Sequence, residues 1–324
     1  MAGLSCARGL LAQGHRVSLF DKGRSTGGRL ATRRDGTRQF DHGAQFATAR
    51  GAGFAALMAS LAQSGHATPW QAAQKGTDIA WIGQPGMSGL ARGLTDSLGS
   101  ESLTLRTAAH VSRITPDRRL RLHPAAEAKP GSVSDQGGEV TEPFDAVLLA
   151  LPAPQAIPLL GTIAHQFAGR LAPVAIAPCW AVMLTLDTPL AAPDVLRPTD
   201  GPLSWIARDS ARPGRAPAPG EAWVLHASAA WSRTHLEDDA DTVIAALVSA
   251  FTAATGQGCT PVQAKAHRWR YALTETPLGE ACLWDSTARI GVCGDWCLGA
   301  RIEAAFDSGT ALAQTVATTL GLPA

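Results

Sequence analysis

The chain has 324 residues, of which 45% are hydrophobic and 17% charged, so it is too apolar for disorder and long enough for about two domains. The formal net charge of +1 gives no electrostatic reason to expect nucleic acid or an anionic membrane as partner. No apolar run reaches about 18 residues, and the six cysteines match no zinc-binding spacing. These features predict a cytoplasmic protein with reduced thiols and no metal.

The first half of the chain alternates helical and strand patterns. Leu4, Ala7, Leu10 and Leu11 recur at helical spacing, and residues 16–21 predict a strand that ends in an acid. The further expected elements are helices over 52–63 and about 85–98, strands at 81–82, 103–105, 109–114 and 144–151, and a surface loop over 124–142.

The second half has a different texture. Strands are expected at 177–186, 203–207, 223–228 and 262–269, with a helix at about 237–255 among them. A strand over 290–295 that ends in an acid and a long helix over 299–320 resemble the helix and strand pattern at the start of the chain. We therefore predict an α/β chain: a Rossmann-like domain, truncated at its first strand, and a mostly antiparallel α+β domain.

The N-terminus matches half of a dinucleotide-binding unit. Such a unit runs from a strand through Gly-x-Gly-x-x-Gly into a helix, then to a strand whose terminal acid binds a ribose. Here Gly3 takes the place of the third glycine and Asp21 that of the acid. Because the first strand and two glycines are absent, a chance pattern is about equally likely for this segment alone. We expect the native chain to start about 10 residues earlier.

The next segment, residues 24–32, reads R-x-x-G-G-R-x-x-T. Paired glycines let a backbone approach a cofactor closely, and the following Arg29 can pair with a phosphate. The alternative is an ordinary glycine turn flanked by surface arginines. The position of this segment just after Asp21 disfavours that alternative.

Six motifs now carry a family resemblance over nearly the whole chain. They are GRSTGGRLATRR (23–34), FDHGAQFATAR (40–50), PGMSGLARGL (85–94), FDAVLLALPAPQA (144–156), HRWRYAL (267–273) and GVCGDWCLGARIEAAF (291–306). The sequence resembles the flavin-dependent amine oxidase superfamily and, within it, the bacterial renalase-like NAD(P)/FAD-dependent oxidoreductases.

The resemblance implies non-covalent FAD. Its implied contacts are Ala2 and Gly3 on phosphate, Asp21 at the ribose with Lys22 following it as in relatives, Gly28 and Arg29 near the cofactor, Gln45 and Phe46 beside the isoalloxazine, Val111 at adenine, Asp295 on the ribityl chain and Ile302 toward flavin O2. Phe46 stands where relatives carry Tyr, so a hydroxyl is lost. We expect Cys293 and Cys297 to pack rather than to bind the flavin.

The resemblance also implies a substrate: a dihydronicotinamide isomer, 2- or 6-dihydro-NAD(P), which would give a hydride to flavin N5 before oxygen reoxidises the flavin. Such a substrate needs no strong base, and no catalytic residue stands out. Candidate substrate-pocket residues are His226, Trp269 and Arg270. Each has an equally good structural explanation: His226 as an ordinary strand histidine, Trp269 as a core residue and Arg270 as a surface residue.

Two alternatives remain. The first is amine oxidation, against which stands the absence of any lysine between Lys129 and Lys265. The second is a degenerate, flavin-free binding protein. We expect the FAD-binding domain to comprise residues 1–70, 100–155 and 275–324, and the substrate domain 71–99 and 156–274, with the active site between them.

Overall fold

The structure is a computed structural model that describes residues 1–99, 101–127, 136–161 and 163–321. Within these ranges the α-helices are α1 (Ala2–Leu11), α2 (Ala52–Gln63), α3 (Ser88–Asp96), α4 (Ala153–Leu160), α5 (His165–Leu171), α6 (Ala229–Thr234), α7 (Ala240–Thr255) and α8 (Ile302–Leu320). The strands of the same ranges are β1 (Val17–Phe20), β2 (Arg33–Asp35), β3 (Arg38–Phe40), β4 (Ala67–Pro69), β5 (Trp81–Gly83), β6 (Leu103–Arg106), β7 (Ala109–Ile114), β8 (Leu120–Pro124), β9 (Glu139–Val140), β10 (Val147–Leu149), β11 (Ala175–Leu186), β12 (Val195–Leu196), β13 (Leu203–Arg208), β14 (Glu221–Ala227), β15 (Gln263–Thr276), β16 (Leu283–Asp285) and β17 (Ile290–Val292).

The chain divides into two compact units. The first comprises Met1–Gly28, Ala91–Ala175 and Thr274–Ala324, and the second comprises Arg29–Leu90 and Ile176–Leu273. The first unit has three segments, and residues 29–70, which we predict to belong to the FAD-binding domain, lie in the second unit. The functional domain boundaries stay a prediction.

Parallel pairing of short strands characterises the first unit. β1 pairs with β6 in parallel, and β10 pairs in parallel with β17, which also takes β16 in antiparallel. Parallel neighbours require crossover connections, which the helices of an α/β unit provide. The antiparallel β7–β8–β9 sheet is added to this arrangement.

Two glycines let α1 and α8 pack closely in the first unit. A Cβ at Gly9 would lie 2.6 Å from the Ala313 Cβ, and a Cβ at Gly309 would collide with the Ala2 carbonyl oxygen. Small residues at a helix crossing reduce the separation of the axes. The start of α1 therefore lies against the second turn of α8.

A five-stranded sheet forms the second unit, in the order β12-β13-β14-β11-β15. The pairs β12–β13, β13–β14 and β14–β11 are antiparallel. α7 covers this sheet with Val243, Leu247 and Phe251, which are spaced four residues apart on one buried face. The Asp239 side chain caps the N-terminus of α7 by accepting hydrogen bonds from the Asp241 and Thr242 amides. The helix ends at Gly256, which has a left-handed backbone conformation.

The expected elements are mostly present, with altered ends. The apolar run over 144–151 forms only the short strand β10. Pro152, directly after this run, is the N-cap residue of α4. The strand expected at 262–269 continues to Thr276. The expected loop over 124–142 contains β9, while its residues 128–135 lie outside the described residues. No helix of the described ranges is both long and apolar enough to cross a membrane.

Candidate functional site

The N-terminus of α1 carries the first two predicted contacts. α1 begins at Ala2, and its N-cap residue makes no side-chain hydrogen bond to the first turn. A Cβ at Gly3 would lie 3.2 Å from the Cβ of Ala150, so glycine suits a close approach to the chain after β10. An uncapped helix start presents backbone N–H groups of the kind that bind phosphate.

Asp21 follows β1 within a hydrogen-bonded turn. Its Oδ1 accepts from the Gly23 amide at 2.7 Å, which fixes the carboxylate. Its backbone carbonyl accepts from the Ala109 amide at 3.0 Å, so Val111 lies two residues further along the adjoining strand β7. Lys22 is exposed. The ribose and adenine residues of the predicted site therefore lie close to each other in the first unit.

Gly27 and Gly28 adopt backbone conformations that favour glycine, with φ angles of 118° and 53°. A Cβ at Gly28 would meet no atom within 4 Å. The backbone there borders open space, as a close approach to a ligand requires.

Asp295 and the start of α8 form the other predicted edge of the cofactor site. Asp295 is buried, and the Thr274 hydroxyl donates to its Oδ2 at 3.3 Å. Gly299 has φ 146°, and a Cβ there would meet nothing within 4 Å. α8 then begins at Ile302 without a side-chain cap. The N–H groups of its first turn favour an anionic or electron-rich partner.

Gln45 in the second unit is held at both ends of its side-chain amide. Its Oε1 accepts from Trp205 Nε1 at 2.8 Å and from Arg212 Nη2. Its Nε2 donates to the carbonyl oxygens of Asp41 and Gly43, the latter at 3.0 Å. These four bonds use both donors and both acceptor sites of the amide, and they fix which end is oxygen.

Arg212 belongs to a buried charge cluster of two carboxylates and two guanidinium groups, Asp41, Asp209, Arg212 and Arg215. Arg212 Nε lies 2.6 Å from Asp209 Oδ1, and Arg215 Nη2 bridges Asp41 Oδ2 at 2.6 Å and Asp209 Oδ2 at 2.7 Å. All four side chains are at most 5% exposed. Burial raises the pKa of Asp209, against the opposing effect of Arg212 and Arg215.

His226 and Trp269 converge on one backbone oxygen. His226 Nε2 lies 3.1 Å from the His42 carbonyl oxygen, and Trp269 Nε1 donates to the same oxygen at 2.9 Å. Because a carbonyl only accepts, His226 carries its proton on Nε2 and leaves Nδ1 as an acceptor. The polar hydrogens of these two predicted pocket residues therefore hold the chain at His42.

The histidines of this region are poor proton acceptors. Burial lowers the pKa of His42 to about 4, with His267 as the next cause, and burial lowers the pKa of His226 to about 4. Burial also lowers the pKa of His267. The rings of His42 and Trp269 stack at 5.2 Å. Near neutral pH these imidazole rings are uncharged.

The remaining predicted residues of the second unit have separate contacts. Phe46 packs on Trp205, with 5.5 Å between ring centroids. Arg29 Nη1 donates to the Ala272 carbonyl at 3.0 Å. Arg270 forms a two-point ion pair with Glu237, at 2.6 and 2.9 Å, on an exposed face. A substrate contact of Arg270 stays a prediction.

The two cysteines near the GVCGDWC motif are buried in the first unit. A hydrogen bond with Cys6, together with burial, raises the pKa of Cys293 well above its ordinary value, and burial raises that of Cys297 to about 12. Such thiols are unreactive.

The residues that sequence reasoning missed are those that hold Gln45 and the other members of the charge cluster around Arg212. Asp41 lies inside the FDHGAQF motif, but Trp205, Asp209, Arg212 and Arg215 lie far along the chain from it. Asp209, Arg212 and Arg215 recur at three-residue intervals, a polar pattern that is typical of an exposed turn. Only the three-dimensional fold brings them to residue 45.

The solved structures that are similar to this chain include those of three proteins from different organisms. The cyclohexylamine oxidase of Brevibacterium oxydans IH-35A has a TM-score of 0.69 at 13% identity, over 98% of this chain and 97% of that one. A Methanosarcina mazei oxidoreductase gives 0.64 at 14%, over 97% and 98%. A putative protoporphyrinogen oxidase from Exiguobacterium sp. 255-15 gives 0.53 at 18%, over 75% of this chain, which spans only 53% of that protein. Identities this low establish the fold alone.

Two family models match the sequence. The model of the NAD(P)-binding Rossmann-like domain matches residues 1–61, and that of the flavin-containing amine oxidoreductases matches residues 47–317. The predicted fold class, a Rossmann-like domain with a mostly antiparallel α+β domain, is confirmed. The second match covers most of the chain. The chain therefore belongs to the family of flavin-containing amine oxidoreductases.

Proposed function

We propose that this chain is an FAD-dependent oxidoreductase that takes a hydride from a dihydronicotinamide isomer and passes the electrons to oxygen. The observation that carries the flavin part is the family match over residues 47–317. The dinucleotide pattern from Gly3 to Asp21 and the matched Rossmann-like region over residues 1–61 support FAD as the flavin.

The residues present fit FAD. Open space beside left-handed Gly28 and beside Gly299 would admit a ligand against the backbone. The uncapped starts of α1 and α8 offer N–H groups to phosphate and to an electron-rich ring. Asp21 offers a fixed carboxylate to ribose hydroxyls. We propose non-covalent binding, since the buried, high-pKa thiols of Cys293 and Cys297 are unsuited to attachment.

FAD supplies the two-electron acceptor when it is bound. The protein's own residues then need only bind and orient a substrate. His42 and His226 are neutral at pH 7 because their pKa is about 4. Uncharged rings that do not accept a proton suit a dihydronicotinamide, whose ring nitrogen lone pair drives hydride loss without a base.

Amine oxidation is the second candidate, which is equally compatible with the match to the flavin-containing amine oxidoreductases. An amine substrate needs its lone pair free, and a lysine near the reacting centre often assists such enzymes. In the second unit Lys75 is exposed and Lys265 pairs with Asp35. Neither lysine belongs to the group around His42, which supports the dihydronicotinamide substrate.

Anaerobic titration of the FAD-loaded protein tests this proposal. We expect 6-dihydro-NAD to bleach the flavin absorption band and to yield NAD+, while cyclohexylamine leaves the band unchanged. Readmitted air would restore the band and produce hydrogen peroxide. Bleaching by the amine alone would overturn the dihydronicotinamide proposal in favour of amine oxidation. A protein that binds no FAD would favour a flavin-free binding role.

A further inference from the structure

We propose that Arg212 is a positioning residue, which fixes Gln45 and the segment 41–46 in one conformation from within the buried charge cluster. The inference rests on the proposed function, since it concerns a segment that we expect beside the isoalloxazine. Arg212 itself touches no reacting atom in this account. Its effect passes through Gln45.

The first support is the saturation of the Gln45 amide. Arg212 donates to the Gln45 backbone carbonyl at 2.8 Å through Nη1 and to Gln45 Oε1 through Nη2. Trp205 completes the second acceptor site of Oε1. The side chain therefore has no hydrogen-bonding capacity left for a ligand, and its role is to hold the loop.

The second support is the way Arg212 is itself fixed. Its Nε lies 2.6 Å from Asp209, its Nη1 lies 3.6 Å from Asp41, and its guanidinium carbon lies 4.2 Å from the Trp70 ring centroid. A planar guanidinium with partners on each edge and a ring on its face has one orientation. Arg212 in turn fixes the orientation of Gln45, because Nη1 and Nη2 of the same guanidinium group both donate to it.

The third support is that the rest of the segment is held through its carbonyl oxygens. The Asp41 and Gly43 carbonyls accept from Gln45, and the His42 carbonyl accepts from His226 and Trp269. Gly43 is tightly placed, because a Cβ there would collide with the Arg29 carbonyl oxygen. Loss of Arg212 would thus release the Gln45 end of an otherwise anchored segment.

Arg208 offers a matched control within the same unit. It also pairs with two carboxylates, Asp194 at 2.9 Å and Glu221 at 3.2 Å, and it also lies over a tryptophan, Trp223, at 4.7 Å. Its hydrogen bonds, ion pairs and ring contact within the described residues go to residues 190–194, Glu221 and Trp223, outside segment 41–46. Arg208→Met therefore reproduces the loss of a paired, stacked arginine without the loss of the Gln45 contacts.

The experiment compares Arg212→Met, Arg212→Lys and Arg208→Met. Hydrogen exchange of the FAD-free protein is followed at the Asp41 and Ala44 amides, which donate to Asp209 Oδ1 and the Arg29 carbonyl. We expect Arg212→Met to accelerate exchange there at least about tenfold, and Arg208→Met to leave it unchanged. Arg212→Lys keeps the positive charge but not the planar guanidinium group. Relative to Arg212→Met, it should therefore restore the free energy of unfolding more than the protection of segment 41–46 from exchange.

The FAD-loaded variants supply the second readout. We expect Arg212→Met to shift the flavin absorption band and to lower kcat by about tenfold to a hundredfold, with a smaller change in KM. Full recovery of segment protection by Arg212→Lys, or equal exchange in the two methionine variants, would overturn the proposal. If Arg212→Met does not fold, Trp205→Phe removes the other donor to the same Oε1 and takes its place, with the same expected and contradicting exchange results.

The two proposals can fail separately. Exchange in the FAD-free protein decides the role of Arg212 whether or not a flavin binds. A missing flavin band with intact protection of segment 41–46 counts against the proposed function alone.

Discussion

Arg212 donates to both oxygens of Gln45, its backbone carbonyl and its side-chain amide, from a position that is almost completely buried. Gln45 lies in the motif that the family resemblance places beside the isoalloxazine, whereas Arg212 lies in none of the motifs that carry the resemblance. The relation connects a recognisable motif to a charge cluster that stabilises it. The cost of burying that cluster is offset only while each charge keeps its partner.

Asp41 tests the cluster. Its Oδ1 accepts from the Thr32 hydroxyl at 2.6 Å and the Met87 amide at 2.9 Å, and its Oδ2 pairs with Arg215. We expect Asp41→Asn to lower the free energy of unfolding by about 3 kcal/mol, because it leaves buried positive charge unbalanced. Urea unfolding measures this.

Asp117→Asn is the control for this loss, because Asp117 pairs with Arg119 on the surface and is 60% exposed. We expect its effect on the free energy of unfolding to be far smaller than that of Asp41→Asn. Equal small losses in the two variants would contradict the assigned cluster.

His226 predicts how stability depends on pH. Its pKa is lowered from 6.5 to about 4 by burial, so the unfolded chain binds a proton between those values and the folded protein does not. Stability therefore falls as the pH drops from about 7 to 4, by about 3 kcal/mol from this group. Unfolding of His226→Asn at several pH values should show a flatter decline than the unchanged protein. Parallel curves would rule out this role of His226.

Gly28 tests the cofactor cradle. A residue with a Cβ is strained at φ 53°, and the Cβ would project into the open space where we propose FAD. Gly36 is a matched control, with φ 57° and equally open surroundings in the turn between β2 and β3. We expect Gly28→Ala and Gly36→Ala each to cost about 1 kcal/mol of stability.

The difference between these two glycine variants lies in binding. Gly28→Ala should raise the Kd for FAD at least about tenfold, as measured by quenching of flavin fluorescence, while Gly36→Ala should leave it unchanged. An identical Kd in both variants would remove Gly28 from the proposed cofactor site.

Arg270 and Glu237 separate a substrate contact from a surface ion pair. Both side chains are substantially exposed, so the ion pair contributes little to stability. If Arg270 contacts the substrate as predicted, Arg270→Gln raises KM with little change in kcat, and Glu237→Gln does not. Steady-state kinetics with the two variants measure this. Unchanged KM in Arg270→Gln would leave the ion pair as its sole role.

Sequence patterns predicted the elements where one segment carries its own signal. β7 was expected over 109–114, where the structure has it, and the helix ending at Leu320 was expected from residue 299, three residues before α8 begins. The site is less predictable, because Arg212 and Trp205 reach Gln45 only through the tertiary fold. Likewise, spacing does not reveal that His226 and Trp269 share one carbonyl oxygen, or that Arg270 turns to Glu237.

An FAD titration of the purified, flavin-stripped protein, followed by visible absorption and flavin fluorescence, tests the proposed function most directly. We expect saturable binding of one FAD per chain with a shifted absorption band, and release of intact FAD on denaturation because no covalent bond forms. Absence of saturable FAD binding by folded protein would contradict the proposed function.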